Sequence, residues 1–478
     1  MLTFVFLFLI ASTHYISCEY VINPDIVIKN VDRNIDMSSQ IVKIQYKYTV
    51  TNMGDNIIKS LALSTDAEFK KHMAYISAQS GEMLKTPLSI SEIKTIKKSA
   101  PTGGSAAIGG KILWKVELKE YLVKGKLVNI DIEIFLTKHL NPFPTSIGQK
   151  DKQFVLYHGN AYVYSPYLIQ NQKTFIHLGT INIENFTPIN PTSQVEQTIT
   201  YGPYENIAPY SKANITIHYE NNAPFLVVTK LVRQVEVSHW GNIAVEESIS
   251  LKHEGAKLKG PFSRYDYQRD SAHGIKSFKT ILPAAASDAY YRDEIGNIST
   301  SNIRDVADFI ELDLRPRFPL FGGWRTQYIL GYNVPSYEYL FHSSKHFVLR
   351  MRFIDHIFDN MVIDEAFVKI ILPENVYNIR VHVPYNVLRH SNTYHKTYLD
   401  TVGRPVLMLS KKNLIENHIQ DLELEYMFIQ TFMLKEPLLT VFVFYLFFIL
   451  VIVYIRIDFS ITRPTPPSHP RYKNMVAE

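Results

Sequence analysis

His253-Glu254 opens like the zinc-peptidase pattern H-E-x-x-H, in which two imidazoles one helical turn apart hold the metal and the glutamate serves as base. The fifth position here is Lys257, which cannot complete the pair, so the stretch reads as a surface loop. Gly109-Gly110-Lys111 resembles the end of a phosphate loop. Ser105 stands where the first glycine of that motif belongs, and Ile112 replaces the hydroxyl that would meet magnesium. No G-x-S-x-G elbow occurs, and the single cysteine, Cys18, lies within the N-terminal leader described below. The 17 histidines are scattered, and His382 and His395 lack any recognised ligand spacing, which favours surface or structural roles. The chain therefore offers no catalytic residue, no cofactor-binding residue and no metal ligand.

Modification chemistry is better represented. Asn185-Phe186-Thr187, Asn214-Ile215-Thr216 and Asn297-Ile298-Ser299 are N-glycosylation acceptors, whereas Asn190-Pro191-Thr192 is excluded by its proline. All three precede the one long apolar run near the C-terminus, as a lumenal or extracellular location requires.

The elements that carry these residues are strands. Val42, Ile44, Tyr46, Tyr48 and Val50 alternate with Lys43, Gln45, Lys47, Thr49 and Thr51 before the turn Asn52-Met53-Gly54-Asp55. The same period returns at Val128, Ile130, Ile132, Ile134 and Leu136, and again at Ala213, Ile215, Ile217 and Tyr219. These patterns predict half-buried antiparallel strands with one face of each sheet in a core. Asn221 to Pro224 breaks the alternation, and a hairpin follows in which Val235 and Val237 rise to a turn at Gly241-Asn242 and Val245 and Ile249 return. The first half opens in the same way, strand, glycine-containing turn, strand, which suggests an internal duplication. Residues 97–110, KKSAPTGGSAAIGG, read as a mobile loop.

Length and composition frame this reading. At 478 residues the chain suits two domains of roughly 200 residues each plus an anchor. An apolar share of 46% against 20% charged, with 30 Tyr and 27 Phe, favours a folded β-rich structure. A net charge of +5, not gathered into a stripe, argues against nucleic-acid binding. Met1 to Ile10 is apolar apart from Thr3, and Glu19 is the first charge, which reads as a signal peptide cut near Cys18. A mature chain without that cysteine has no disulfide, which leans toward an intracellular lumen. Leu438 to Ile455 carries no charge and is bracketed by Glu436 and Arg456; its rise of about 27 Å matches the thinner bilayer of the endoplasmic reticulum. The tail, Arg456 to Glu478, holds four Lys/Arg and two acids, and the positive-inside rule places it in the cytosol. The expected organisation is mainly β. It comprises a signal peptide (1–18), two lumenal antiparallel β-sandwich-like domains (19–222 and 223–433), a transmembrane helix (438–455) and a short cytosolic tail (456–478).

Long stretches of the middle of the chain resemble ribophorin I, a subunit family of the oligosaccharyltransferase. They include VEVSHWGNIAVEE (Val235–Glu247), LKGPFSRYDYQR (Leu258–Arg269), FKTILPAAASDAYYRDEIGNIST (Phe278–Thr300) and LRPRFPLFGGWRTQYILGYNVPSYEYL (Leu314–Leu340). The resemblance implies a non-catalytic, endoplasmic-reticulum subunit of the complex that transfers a preassembled oligosaccharide from dolichol pyrophosphate to Asn of N-x-S/T in nascent polypeptides. A separate polytopic subunit would perform the reaction, and other subunits and nascent chains would be the partners. Trp240, Phe262, Tyr265, Tyr267, Trp324, Tyr328, Tyr337 and Tyr339, with Arg264 and Arg315, sit in turn-like segments where they could anchor a partner or fill the core. The short, proline-rich tail argues against ribosome contact. A cell-surface adhesion or receptor ectodomain of type I topology is the other reading.

Overall fold

The computed structural model describes residues 22–81, 85–93, 111–269, 274–398, 400–457 and 461; the signal-peptide segment, the 97–110 loop and most of the tail lie outside them. The chain is mainly β, and two large sheets organise it. In the first, Ile26–Met37 pairs antiparallel with Val42–Asn52 and parallel with Leu168–Leu178. Leu127–Leu136 adds beyond the second of these strands and Thr198–Ile207 beyond the third. The alternation read from the sequence decides which side chains face inward: Val42, Ile44, Tyr46, Tyr48 and Val50 are all buried, and so are Ile130, Ile132, Ile134 and Leu136. A four-stranded sheet containing Phe154–Asn160 and Asn214–Glu220, and a three-stranded one containing Ile58–Asp66, contribute Tyr157, Ile215, Ile217 and Leu63 to the same core.

The second large sheet repeats this plan. Leu226–Val237 pairs antiparallel with Asn242–His253 and parallel with Val362–Ile371, and Arg325–Pro335 and Arg404–Ile415 extend the two sides. Both leading strands carry a bulge at the same step, Lys29 in one and Thr229 in the other, each left unpaired between its neighbours. The order and sense of five strands and the place of a bulge are thus shared between the halves. This is the arrangement an internal duplication leaves. Each large sheet therefore contains one parallel pair among otherwise antiparallel neighbours, a feature that alternation alone does not reveal.

The two cores separate between Phe225 and Leu226. Asn221, buried in the connecting stretch, donates from its amide to the carbonyl of Ser39 at 3.2 Å and accepts from the N–H of Ala223 at 3.0 Å. The halves are fastened by a small apolar cluster, Ile41, Val227, Val362 and Ile415, against Tyr75 and Phe135. Around it the Gln40 amide donates to the carbonyls of Leu226 (2.8 Å) and Asn360 (2.7 Å), and Thr137 donates to Asn413 Oδ1 (2.6 Å). Lys138 meets Asp364 at 2.7 Å and Glu254 at 3.2 Å.

After a 3₁₀ turn, Gln430–Leu434, the chain ends its described part in the helix Lys435–Arg456, which spans the apolar run. From Pro437 to Arg456 every side chain is exposed, and the segment is long and apolar enough to cross a bilayer. Pro437 falls in its first turn, where a missing N–H costs nothing. The root of the helix is clamped to the second half. Lys435 pairs with Glu374 at 2.7 Å, and one Glu374 oxygen accepts the N–H groups of Thr401, Val402 and Gly403 at 3.1, 2.6 and 3.2 Å.

Candidate functional site

The three sequon asparagines are all exposed. Asn185 and Asn214 lie on adjacent strands of one sheet, and their sequons touch, because Thr187 donates its N–H to the carbonyl of Thr216 (3.0 Å) while its hydroxyl accepts the N–H of Thr216 (3.1 Å). Asn297 belongs to the second half, where its carbonyl accepts from Arg317 at 3.4 Å.

The aromatic residues singled out from the sequence divide by environment. Tyr328 is buried in the core of the second half, and Phe262, Tyr267 and Trp324 gather around Phe321, with ring centroids 5.4 to 6.2 Å apart. Trp240, Tyr265 and Tyr337 stay 64%, 69% and 77% exposed, so of these aromatics they keep the most area to anchor a partner. Tyr339 is half-buried. Arg264 is exposed, and Arg315 lies 3.3 Å from Asp313.

His253 corrects the sequence reading. It is not in a surface loop but ends the strand Asn242–His253, buried, with Nδ1 accepting the N–H of Gly255 at 3.1 Å. Burial holds its pKa down at about 4, so it is neutral at physiological pH. The neighbouring Glu254 faces Lys252 and Lys138 at 2.9 and 3.2 Å and helps join the halves. His382 and His395 are exposed. Among the described residues no group of three or more His, Cys, Asp or Glu is placed to hold a metal ion.

Two arginines that carried no weight in the sequence reading occupy the most unusual positions. Arg33 and Arg233 each lie seven residues into the leading strand of their half, on the inward face between apolar neighbours, Val31 and Ile35 in one and Leu231 and Val235 in the other. Arg233 is sealed in. Its Nη1 meets Glu247, its direct cross-strand neighbour, and Asp355 at 2.6 Å, while the Tyr332 hydroxyl donates to Asp355 and lies 3.3 Å from Nη2. All four side chains are buried. Burial pushes the Glu247 carboxyl up from its ordinary range; the Arg233 charge pulls it back and the Asp355 charge pushes it further up.

Arg33 has different company. Nη2 donates to the carbonyls of Asn160 (2.8 Å) and Ala161 (2.6 Å), Nε to the hydroxyl of Thr174 (3.2 Å), and Nη1 makes one long contact, 3.5 Å, with the carbonyl of Tyr162. Its cross-strand neighbour is Tyr46, and among the described residues no carboxylate pairs with it. Beside it opens a cavity of about 400 Å³ between the sheets of the first half. Tyr46, Tyr48, Tyr157, Ser64 and Ile134 line the buried part, and Asp66, Glu68, Lys212 and Asn214 line the mouth. The signal that finds both arginines is a charged residue at the inward parity of an otherwise apolar strand face.

Fold and anchor together define a class, a β-rich protein of two joined cores that ends its described part in a helix long and apolar enough to span a membrane. Comparison with known proteins narrows the class. The family described as Ribophorin I matches residues 26–455. A *Caenorhabditis elegans* protein named dolichyl-diphosphooligosaccharide–protein glycosyltransferase subunit 1 is 42% identical over 438 residues, 91% of this chain and 72% of the relative. An *Arabidopsis thaliana* protein named subunit 1B of the same enzyme is 37% identical, covering 92% of this chain and 94% of the relative. The chain belongs to the ribophorin I family.

Proposed function

We propose that this protein is a non-catalytic subunit of the oligosaccharyltransferase complex. It sits in the endoplasmic-reticulum membrane as a type I single-pass protein, with both β cores in the lumen and Asn185, Asn214 and Asn297 available as glycan acceptors. The observation that carries this reading is the family match across 26–455, which spans both cores and the helix as one unit and joins the chain to relatives named as subunit 1 of that enzyme. The physical features agree with a scaffold. The charged cluster of Arg233, Glu247 and Asp355 is packed inside a core, away from any surface where a substrate could react.

The role is structural: the lumenal halves present fixed surfaces to other subunits and to nascent polypeptides, and the helix docks laterally against a polytopic catalytic subunit. Reaction chemistry belongs to that subunit. Affinity purification of the tagged full chain from gently solubilised membranes tests this. Co-purification of the catalytic subunit and of transferase activity is expected, and recovery of the chain as a monomer, free of other subunits, would refute it.

A further inference from the structure

We propose that the first half holds a carboxylate-binding site, with Arg33 at its floor and the cavity beside it as the ligand pocket. Arg33 and Arg233 occupy the same step of the same strand in two halves of shared topology, and in the second half the guanidinium is met by the carboxylates of Glu247 and Asp355. In the first half the position corresponding to Glu247, directly across the strand pair, is Tyr46, and the space is hollow. A buried guanidinium satisfied only by carbonyl and hydroxyl dipoles keeps its whole charge in a low-dielectric site, and a ligand carboxylate restores the balance that Glu247 and Asp355 supply elsewhere.

A second observation points the same way. Ser64 is buried and lines the cavity, and its hydroxyl has no hydrogen-bond partner in the protein. A ligand oxygen bound at the Arg33 guanidinium, whose Nη1 lies a long 3.5 Å from the carbonyl of Tyr162, therefore has a second donor in the same pocket. The walls suit the body of such a ligand. Tyr46 and Tyr48 stack at 5.5 Å, and Tyr157 and Phe69 face the same space. At about 400 Å³ the cavity takes a group of amino-acid to dipeptide size, the low end of small-molecule sites. Its mouth carries Lys212, ion-paired with Asp66, beside Glu68, so the positive character is confined to the floor. His139, at the side, is held neutral, its pKa lowered to about 4 by burial. The ligand carboxylate is that of an acidic side chain or of a peptide C-terminus, and the two share the chemistry that Arg33 recognises.

The proposal stands on the cavity and not on the assembly reading, so its test is binding to the full-length purified chain, followed by calorimetry and by hydrogen exchange over the strands 42–52 and 154–160. The probes are N-acetyl-glutamate α-amide for the side-chain source, acetyl-dialanine for the C-terminal source, and the neutral N-acetyl-glutamine amide and N-acetylglucosamine as controls. The expected result is binding of one or both acids with protection of those strands, and no binding of the neutral compounds. The tighter of the two acids identifies the source. Arg33→Met should weaken binding by about 10- to 100-fold, the range of a charge-assisted hydrogen bond. Tyr46→Glu gives the first half the internal carboxylate of the second; it should abolish binding while leaving the chain folded, which covers the case in which Arg33→Met does not fold. Equal binding of acid and amide, protection by N-acetylglucosamine alone, or undiminished affinity in Tyr46→Glu would overturn the proposal.

Discussion

Arg233, Glu247, Asp355 and Tyr332 show how a charged group is accommodated inside a β core. Removing one partner leaves the others buried and unpaired, so Asp355→Ala should cost about 3–5 kcal/mol, read from denaturant unfolding of the full chain. Glu247→Gln should cost less near neutral pH, because burial raises the carboxyl to about 7 and leaves it only partly ionised there. The sign follows from linkage. A carboxyl raised in the folded state contributes stability below its unfolded pKa and loses it as pH climbs through the raised value, so Glu247→Gln should flatten the decline from about pH 4.5 to about 7. The sequence contained the clue to both arginines, a charge at the inward parity of Val31 to Ile35 and of Leu231 to Val235, but not their partners. Asp355 is 122 residues from Arg233, and no local pattern encodes that meeting.

Strands and the anchor were legible because their periods are local. Alternation from Val42 to Val50 and from Val128 to Leu136 gives the observed inward faces, and the run Leu438 to Ile455 lies within the observed helix. The parallel pairing of Ile26–Met37 with Leu168–Leu178 was not legible, since alternation is blind to strand direction and to partners far along the chain. The clamp at the root of the helix was hidden for the same reason. Burial disfavours ionised Glu374, but the Lys435 ammonium and the N–H groups of Val402 and Gly403 outweigh it and hold the pKa at about 2. A carboxyl lowered from 4.5 gives stability that is full above that value and is lost as pH falls toward about 2. Glu374→Gln should therefore loosen the helix root at neutral pH, seen as faster hydrogen exchange at residues 401–403, and should remove that acid sensitivity. The span itself has no Gly, Ala or Ser between Leu438 and Ile455, so close backbone packing is unavailable and Phe442, Phe444, Phe447 and Phe448 must make the contacts. A poly-Leu replacement of equal length should keep the chain anchored and folded but weaken co-purification with the catalytic subunit.

Across the molecule, His139, His239, His253 and His418 share one property: burial lowers each to about 4. They lie in both halves, and His418 packs its ring 5.6 Å from that of Tyr75 across the junction. The unfolded chain binds protons at these sites below about pH 6.5 and the folded chain does not, so stability should fall as pH drops from there to about 4. Thermal unfolding across that range checks this, and a Tm that is flat below pH 6.5 would contradict it. Family membership was legible from long segments of the second half, whereas the repetition of the fold in the first half rests on strand order and bulge position, which sequence identity no longer records.

The most direct test of a structural role in a transferase complex is depletion of the chain followed by paired measurement of complex integrity and of sequon occupancy on secreted glycoproteins. The complex is expected to dissociate and occupancy to fall together, re-expression of the full chain to restore both, and the purified chain alone to transfer no glycan. Glycan transfer by the isolated chain, or an intact complex with unchanged occupancy after depletion, would contradict it.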